Sequence, residues 1–132
     1  MLCALIAFSS YGQGKSVSYK DGQDLFNGYF AKAKSTKKST PGIVVIPAWM
    51  GGNEHTSHSA DQLAALGYHA FVADIYGEGK NPKNPTEARE LSSYYKNNPS
   101  VYQRRIKTAI DELIKLGADT NVPEESVSPG SL

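Results

Sequence analysis

The feature that most constrains this chain is a pair of apolar runs on either side of a stretch with helical periodicity. Residues 43–46 read Ile-Val-Val-Ile, and residues 70–73 read Ala-Phe-Val-Ala. A short, unbroken apolar run rich in β-branched residues is typical of a strand that is covered on both faces. Residues 57–66 place their apolar side chains on one side of a helix, and Gly67 is suited to end it. Strand, helix and strand at this spacing predict a βαβ unit with parallel strands.

A β-hairpin is predicted ahead of this unit. Residues 16–20 and 25–33 each alternate polar and apolar side chains, and Asp21-Gly22 lies between them. Alternation on both sides of a turn sequence is typical of a hairpin with one face in water. Residues 34–40 are polar and basic, which predicts a solvated loop.

Two helices are predicted after the βαβ unit. Asn84-Pro85 supplies a capping residue and a first-turn proline, and Asn98-Pro99 begins a second amphipathic stretch. In an alternating pattern the next element should be a third parallel strand. Residues 122–132 instead contain two prolines and no apolar run. We therefore predict a partial α/β domain over residues 16–121 and a disordered tail over residues 122–132.

Length and charge narrow the classes of protein to consider. The chain has 132 residues, enough for one modest domain. Its formal net charge is +1, and its densest group of basic residues is the stretch 32–38, so a nucleic-acid partner is not expected. Cys3 is the only cysteine, which excludes a disulfide framework and a cysteine-rich zinc site.

The first residues have the character of a targeting segment. Residues 2–8 are apolar, and the small residues Ser10 and Gly12 fit a secretory cleavage site, although no positively charged region precedes them. We expect residues 1–12 to be the remnant of a signal peptide, which predicts a secreted or periplasmic protein. A buried first strand or an apolar terminus is the alternative and would leave the protein cytoplasmic. The run is too short to span a bilayer, so no membrane partner is expected.

Four stretches together resemble the dienelactone hydrolase family. They are Pro-Gly-Ile-Val-Val-Ile-Pro-Ala-Trp-Met-Gly at 41–51, Ala-Asp-Gln-Leu-Ala-Ala-Leu-Gly-Tyr at 60–68, Ala-Asp-Ile-Tyr-Gly at 73–77 and Leu-Gly-Ala-Asp-Thr-Asn at 116–121. Their order and spacing resemble the family from about residue 19 to residue 121. The resemblance implies that the chain forms the N-terminal half of an α/β-hydrolase fold. It also implies an activity that hydrolyses esters or lactones and needs no cofactor.

The resemblance also implies a catalytic triad that this sequence does not contain. Relatives place a Cys or Ser nucleophile in a G-x-C-x-G or G-x-S-x-G elbow, followed by an Asp and a His. Neither motif occurs in the 132 residues. We therefore expect a partial hydrolase that is inactive as it stands, with a small ester or lactone as the substrate of the intact relative.

The resemblance implies that this chain contributes part of the wall of the active site. The backbone N–H of Trp49 is expected to be an oxyanion-hole donor, with Ala48 and Met50 beside it in the substrate pocket. Many relatives carry His-Glu before the tryptophan, whereas this chain has Pro47-Ala48, which favours a general esterase over a true dienelactone hydrolase. Arg89 corresponds to a position where some relatives bind a substrate carboxylate; a solvated arginine is the alternative.

Other candidate residues have simpler explanations. His55 and His58 lack a third ligand at a suitable spacing, so no metal site is predicted. Asp74 is expected to form a turn before Gly77; a hydrolytic site that pairs it with His55 or His58 is a further alternative. A non-enzymatic binding or assembly module is the competing function. In that case the unpaired edge of the sheet would associate with another chain, including a second copy.

Overall fold

The computed structural model describes residues 14–34 and 39–120, which form four strands and three helices. In chain order these are β1 (Lys15–Asp21), β2 (Asp24–Ala31), β3 (Gly42–Val45), α1 (Glu54–Ala65), β4 (His69–Val72), α2 (Pro85–Asn97) and α3 (Pro99–Lys115). The predicted leader at 1–12 and the predicted tail at 122–132 lie outside the described residues. Among the described helices, none is both long and apolar enough to cross a membrane.

The predicted hairpin is confirmed. Strands β1 and β2 are antiparallel, and Asp21 pairs with Asp24 across the turn. Gly22 has a φ of 62°, a left-handed conformation that glycine adopts at no steric cost. This turn therefore sets the register of the whole pair.

The predicted parallel βαβ unit is also confirmed. The order of the sheet is β1-β2-β4-β3; β3 runs parallel to β4, and β2 runs antiparallel to β4. Burial differs between the two parallel strands, because β4 lies inside the sheet and is buried throughout, whereas β3 is half-buried along most of its length. The run 43–46 is nevertheless covered on both faces, as predicted, because Val44 and Ile46 pack against the cluster that includes α3 and Val45 packs against α1. Its residues are only half-buried because β3 lies at the end of the sheet.

Helix α1 begins at Glu54, three residues before the predicted start at residue 57. The side chain of Asn53 accepts the Thr56 N–H at 3.1 Å, and the Thr56 hydroxyl accepts the Asn53 N–H at 2.9 Å. This reciprocal cap satisfies two donors of the first turn. Apolar periodicity missed this turn because its residues are polar.

The two later helices begin at the predicted residues. Asn84 Oδ1 accepts the Glu87 N–H at 2.9 Å, with Pro85 in the first turn, and α3 begins at Pro99. Alternate residues of β4 face opposite helices: Phe71 packs with the cluster that includes α2 and α3, and Val72 packs with α1. The protein is thus a mixed sheet between two helical layers, as expected for the N-terminal part of an α/β-hydrolase fold.

Candidate functional site

An open cavity of about 470 Å³ lies where the chain leaves the carboxyl ends of β3 and β4. Ligands of α/β proteins bind at this end of the sheet, and the volume is within the range of about 300–1,000 Å³ that is common for small-molecule sites. Its walls come from the loops after both strands and from α2 and α3. The lining residues are Pro47, Ala48, Trp49, Gly51, Ile75, Tyr76, Ser92, Tyr95, Lys96 and Tyr102.

The loop after β3 is held in a defined turn. The Gly51 N–H donates to the Ala48 carbonyl at 2.9 Å, and the hydroxyl of Tyr76 donates to the Trp49 carbonyl at 2.8 Å. Gly51 has a φ of 79°, and a Cβ there would lie 2.4 Å from Asn81 Oδ1, so this position requires glycine. The Trp49 N–H has no acceptor among residues 14–34 and 39–120. The Met50 N–H of the same turn is also without an acceptor in the described part of the chain, but of these two residues only Trp49 lines the cavity.

Tyr76 connects this loop to the aromatic wall of the cavity. Its ring centroid lies 5.5 Å from that of Tyr95, which in turn lies 6.4 Å from Tyr102. Tyr76 is 8 % exposed, and burial raises the pKa of its phenol, which stays a hydrogen-bond donor at neutral pH. Sequence reasoning did not assign Tyr76 a role. Its place at the end of a buried strand, next to Gly77, was the available signal.

Asp74 forms the turn that presents Tyr76, as predicted. Its Oδ1 accepts the Gly77 N–H and its Oδ2 accepts the Asn27 N–H of β2, both at 2.9 Å. The backbone N–H of Asp74 donates to the Tyr19 hydroxyl at 2.9 Å. Burial raises the pKa of Tyr19 to about 12, so this phenol remains protonated. Asp74 therefore ties the hairpin to the loop of the cavity.

Only some of the predicted site residues line the cavity. Ala48 and Trp49 line the cavity, whereas Met50, in the same turn, is outside the set of lining residues. Arg89 is exposed on α2 and is also outside that set, and Lys96, two turns further along α2, lines the cavity instead. The roles assigned to Trp49, Met50 and Arg89 in substrate binding stay predictions.

The histidines lie away from this cavity. His55 and His58 are exposed on α1, and none of the hydrogen bonds of the Asp74 carboxylate within the described residues involves them. His69 is buried, and its Nδ1 accepts the Ala33 N–H at 3.1 Å. In the described part of the chain, no group of three or more His, Cys, Asp or Glu side chains could hold a metal ion.

The comparison with protein families agrees with the fold and the motifs. The profile of the dienelactone hydrolase family matches residues 26–125, which is more than half of the sequence. The chain belongs to the dienelactone hydrolase family. The match ends inside the segment that was predicted to be a tail. A comparison with curated proteins gave no match.

Solved structures with the same fold include three relevant neighbours. A protein named m3DLH superposes with a TM-score of 0.76 at 27 % identity, over 82 % of this chain and 45 % of its own. The dienelactone hydrolase-like promiscuous phosphotriesterase P91, from metagenomic libraries, has a TM-score of 0.72 at 27 % identity, over 80 % and 44 % of the two chains. A dienelactone hydrolase homologue from Klebsiella pneumoniae shares the fold, with a TM-score of 0.67 at 21 % identity over 80 % and 45 %.

The present chain thus spans less than half the length of these neighbours. Family and fold together support a function of the hydrolase type.

Proposed function

We propose that the described residues form one half of an active site that hydrolyses carboxylic esters or lactones. The observation that carries this proposal is the turn after β3, where Trp49 keeps a free backbone N–H at the wall of a largely apolar cavity. In α/β-hydrolases the loop after this strand supplies one oxyanion-hole N–H. The Trp49 N–H has the matching position in the chain.

The geometry of the turn favours this role. An oxyanion donor is effective when it is held in place before the reaction, because it then needs no reorganisation as charge develops. The hydrogen bond from Tyr76 to the Trp49 carbonyl restrains the peptide that follows Trp49, and the bond from Gly51 to Ala48 closes the turn around it. The apolar and aromatic wall would accommodate the body of a small ester or lactone, and this chemistry needs no cofactor.

The nucleophile must come from outside these residues. The sequence contains neither G-x-S-x-G nor G-x-C-x-G. One oxyanion donor contributes about 2.7–4 kcal/mol, whereas losing a nucleophile costs on the order of 10⁶ in kcat. A single donor cannot offset that loss, so we expect the 132-residue chain alone to hydrolyse esters no faster than the background rate.

A chimaera tests the proposal. Residues 1–120 are joined to the part of P91 that lies beyond the superposed region, and hydrolysis of an aryl ester is measured. An aryl phosphotriester is included because P91 is described as a promiscuous phosphotriesterase. The chimaera should hydrolyse at least the ester, and alanine at the nucleophile of the P91 part should abolish turnover.

The donor itself is tested in the same chimaera. Trp49→Pro removes the N–H at the second position of the turn, where proline is tolerated, and Trp49→Phe keeps the N–H. The proline variant should lose about 10²–10³ in kcat relative to the phenylalanine variant. Equal rates for the two would contradict the assignment of Trp49.

The second candidate function is a binding or assembly module, and one feature of the sheet favours it. The Pro41 and Val45 carbonyls accept the His69 and Ala73 N–H groups of the neighbouring segment, so alternate residues such as Val44 direct N–H and C=O away from β4. The strand carries no charged side chain, unlike β1 at the other end of the sheet. Uncharged edges of this kind readily pair with another chain.

A further inference from the structure

The cavity at the carboxyl ends of β3 and β4 has a mostly apolar wall with one positively charged side chain. Most of its wall is aromatic or aliphatic, with Tyr95 and Ile75 buried and Trp49 44 % exposed. Lys96 is the one charged residue that lines it in the described part of the chain. No carboxylate of that part stands in the lining to neutralise it. An apolar cavity with a single cation is suited to a ligand that has an apolar body and one negative charge.

The Lys96 ammonium is also available for a ligand. Within residues 14–34 and 39–120 it forms no ion pair. The nearby Ser92 hydroxyl, which also lines the cavity, donates to the Arg89 carbonyl at 3.2 Å and is thus engaged within α2. A lysine presents three N–H donors on a flexible stem, so it can meet an anion at the mouth of an open cavity.

The aromatic side chains define the shape of the ligand that fits. The Tyr76, Tyr95 and Tyr102 rings lie at mutual angles of 42° and 54° along one wall, and the Trp49 loop forms another part of the lining. Tilted aromatic surfaces of this kind pack favourably against another aromatic ring by edge or offset contacts. A flat ring is therefore the preferred apolar body.

We infer that this cavity selects aromatic ligands that carry an anionic group, and that Lys96 on α2, rather than Arg89, is the residue that binds the anion. The inference rests on the proposed function, since it names the substrate class of the same cavity. It differs from the expectation for Arg89 because Arg89 lies two helical turns before Lys96 on α2 and is not among the residues that line the cavity, whereas Lys96 is.

A binding experiment on the 132-residue chain tests the inference without any catalysis. Trp49 is the only tryptophan and lines the cavity, so its fluorescence reports on occupancy. The chain is titrated with phenylacetate and with phenylacetamide, a neutral ligand of nearly the same shape. Phenylacetate should bind more tightly by about 1.4-fold to fivefold, the range expected for one exposed ion pair. In about 1 M salt, where the Debye length is about 3 Å, the preference should shrink.

Matched variants on the same helix identify the cation. Lys96→Gln should remove the preference for phenylacetate, Lys96→Arg should keep it, and Arg89→Gln should leave it unchanged. The inference is overturned if Lys96→Gln retains the preference, if Arg89→Gln abolishes it, or if neither ligand changes the Trp49 signal. None of these results affects the test of the proposed function, because the chimaera is judged on turnover of a neutral ester.

Discussion

Asp74 should be the residue whose loss does most damage to the cavity without being part of its wall. Its carboxylate accepts the Gly77 N–H in the turn that carries Tyr76 and the Asn27 N–H in β2. Asp74→Ala would leave both donors without their partner. Because Tyr76 in turn holds the Trp49 carbonyl, the effect should extend to the loop of the proposed oxyanion donor.

The magnitude follows from the surroundings of the two donors. A hydrogen bond to a charged acceptor contributes about 1.5–3 kcal/mol net. The hydrogen bond from the Gly77 N–H is buried, so its full contribution to stability should be lost. Asn27 is exposed, so its N–H can bond to water instead and its loss should cost less. We expect Asp74→Ala to lower the free energy of unfolding by about 2–4 kcal/mol. Asp74→Asn keeps one acceptor oxygen and should cost roughly half as much.

Urea unfolding followed by circular dichroism and by Trp49 fluorescence measures both effects. With an m-value of about 1–3 kcal/mol/M, a loss of about 3 kcal/mol moves the midpoint by about 1–3 M. The control is Asp111→Ala, which breaks an exposed pair with Lys107 and should cost at most about 0.5 kcal/mol. If Asp74→Ala destabilises no more than this control, the role of Asp74 as a link between hairpin and loop is refuted.

Three further predictions address stability, association and the loop. Burial lowers the pKa of His69, so the contribution of its neutral form is complete above the ordinary value of 6.5 and is lost as the pH falls through the folded-state pKa. The free energy of unfolding should therefore fall with decreasing pH by up to about 1.36 kcal/mol per pH unit. His69→Asn should make the free energy of unfolding less dependent on pH. If the variant and the original protein show the same pH dependence, another group is responsible. If the edge of β3 mediates self-association, Val44→Pro should yield a monomer in sedimentation experiments, since it removes an outward N–H and no hydrogen bond to β4; unchanged association would exclude this edge. Tyr76→Phe should increase the mobility of Trp49, seen as lower fluorescence anisotropy, and cost about 0.5–1.5 kcal/mol, whereas Tyr94→Phe, at a side chain 51 % exposed, should change neither.

Most of the secondary structure, and the family of the protein, could be predicted from local sequence. The apolar run at 43–46, the cap at Asn84 and the turn at Gly22 act over a few residues, and each produces the predicted element. The early start of α1 is equally local. It was missed because the reciprocal cap of Asn53 and Thr56 is polar and gives no apolar period.

Only the tertiary structure decided which distant residues meet at the site. Chain order does not reveal that β4 inserts between β2 and β3, nor that Asp74 bonds to a strand 47 positions earlier. The same holds for the Tyr76 hydroxyl on the Trp49 carbonyl, and for Lys96 rather than Arg89 at the cavity wall. The physical reason is that residue propensities and caps act within a turn or two, whereas these contacts depend on strand register and on which turn of α2 lies beside the cavity.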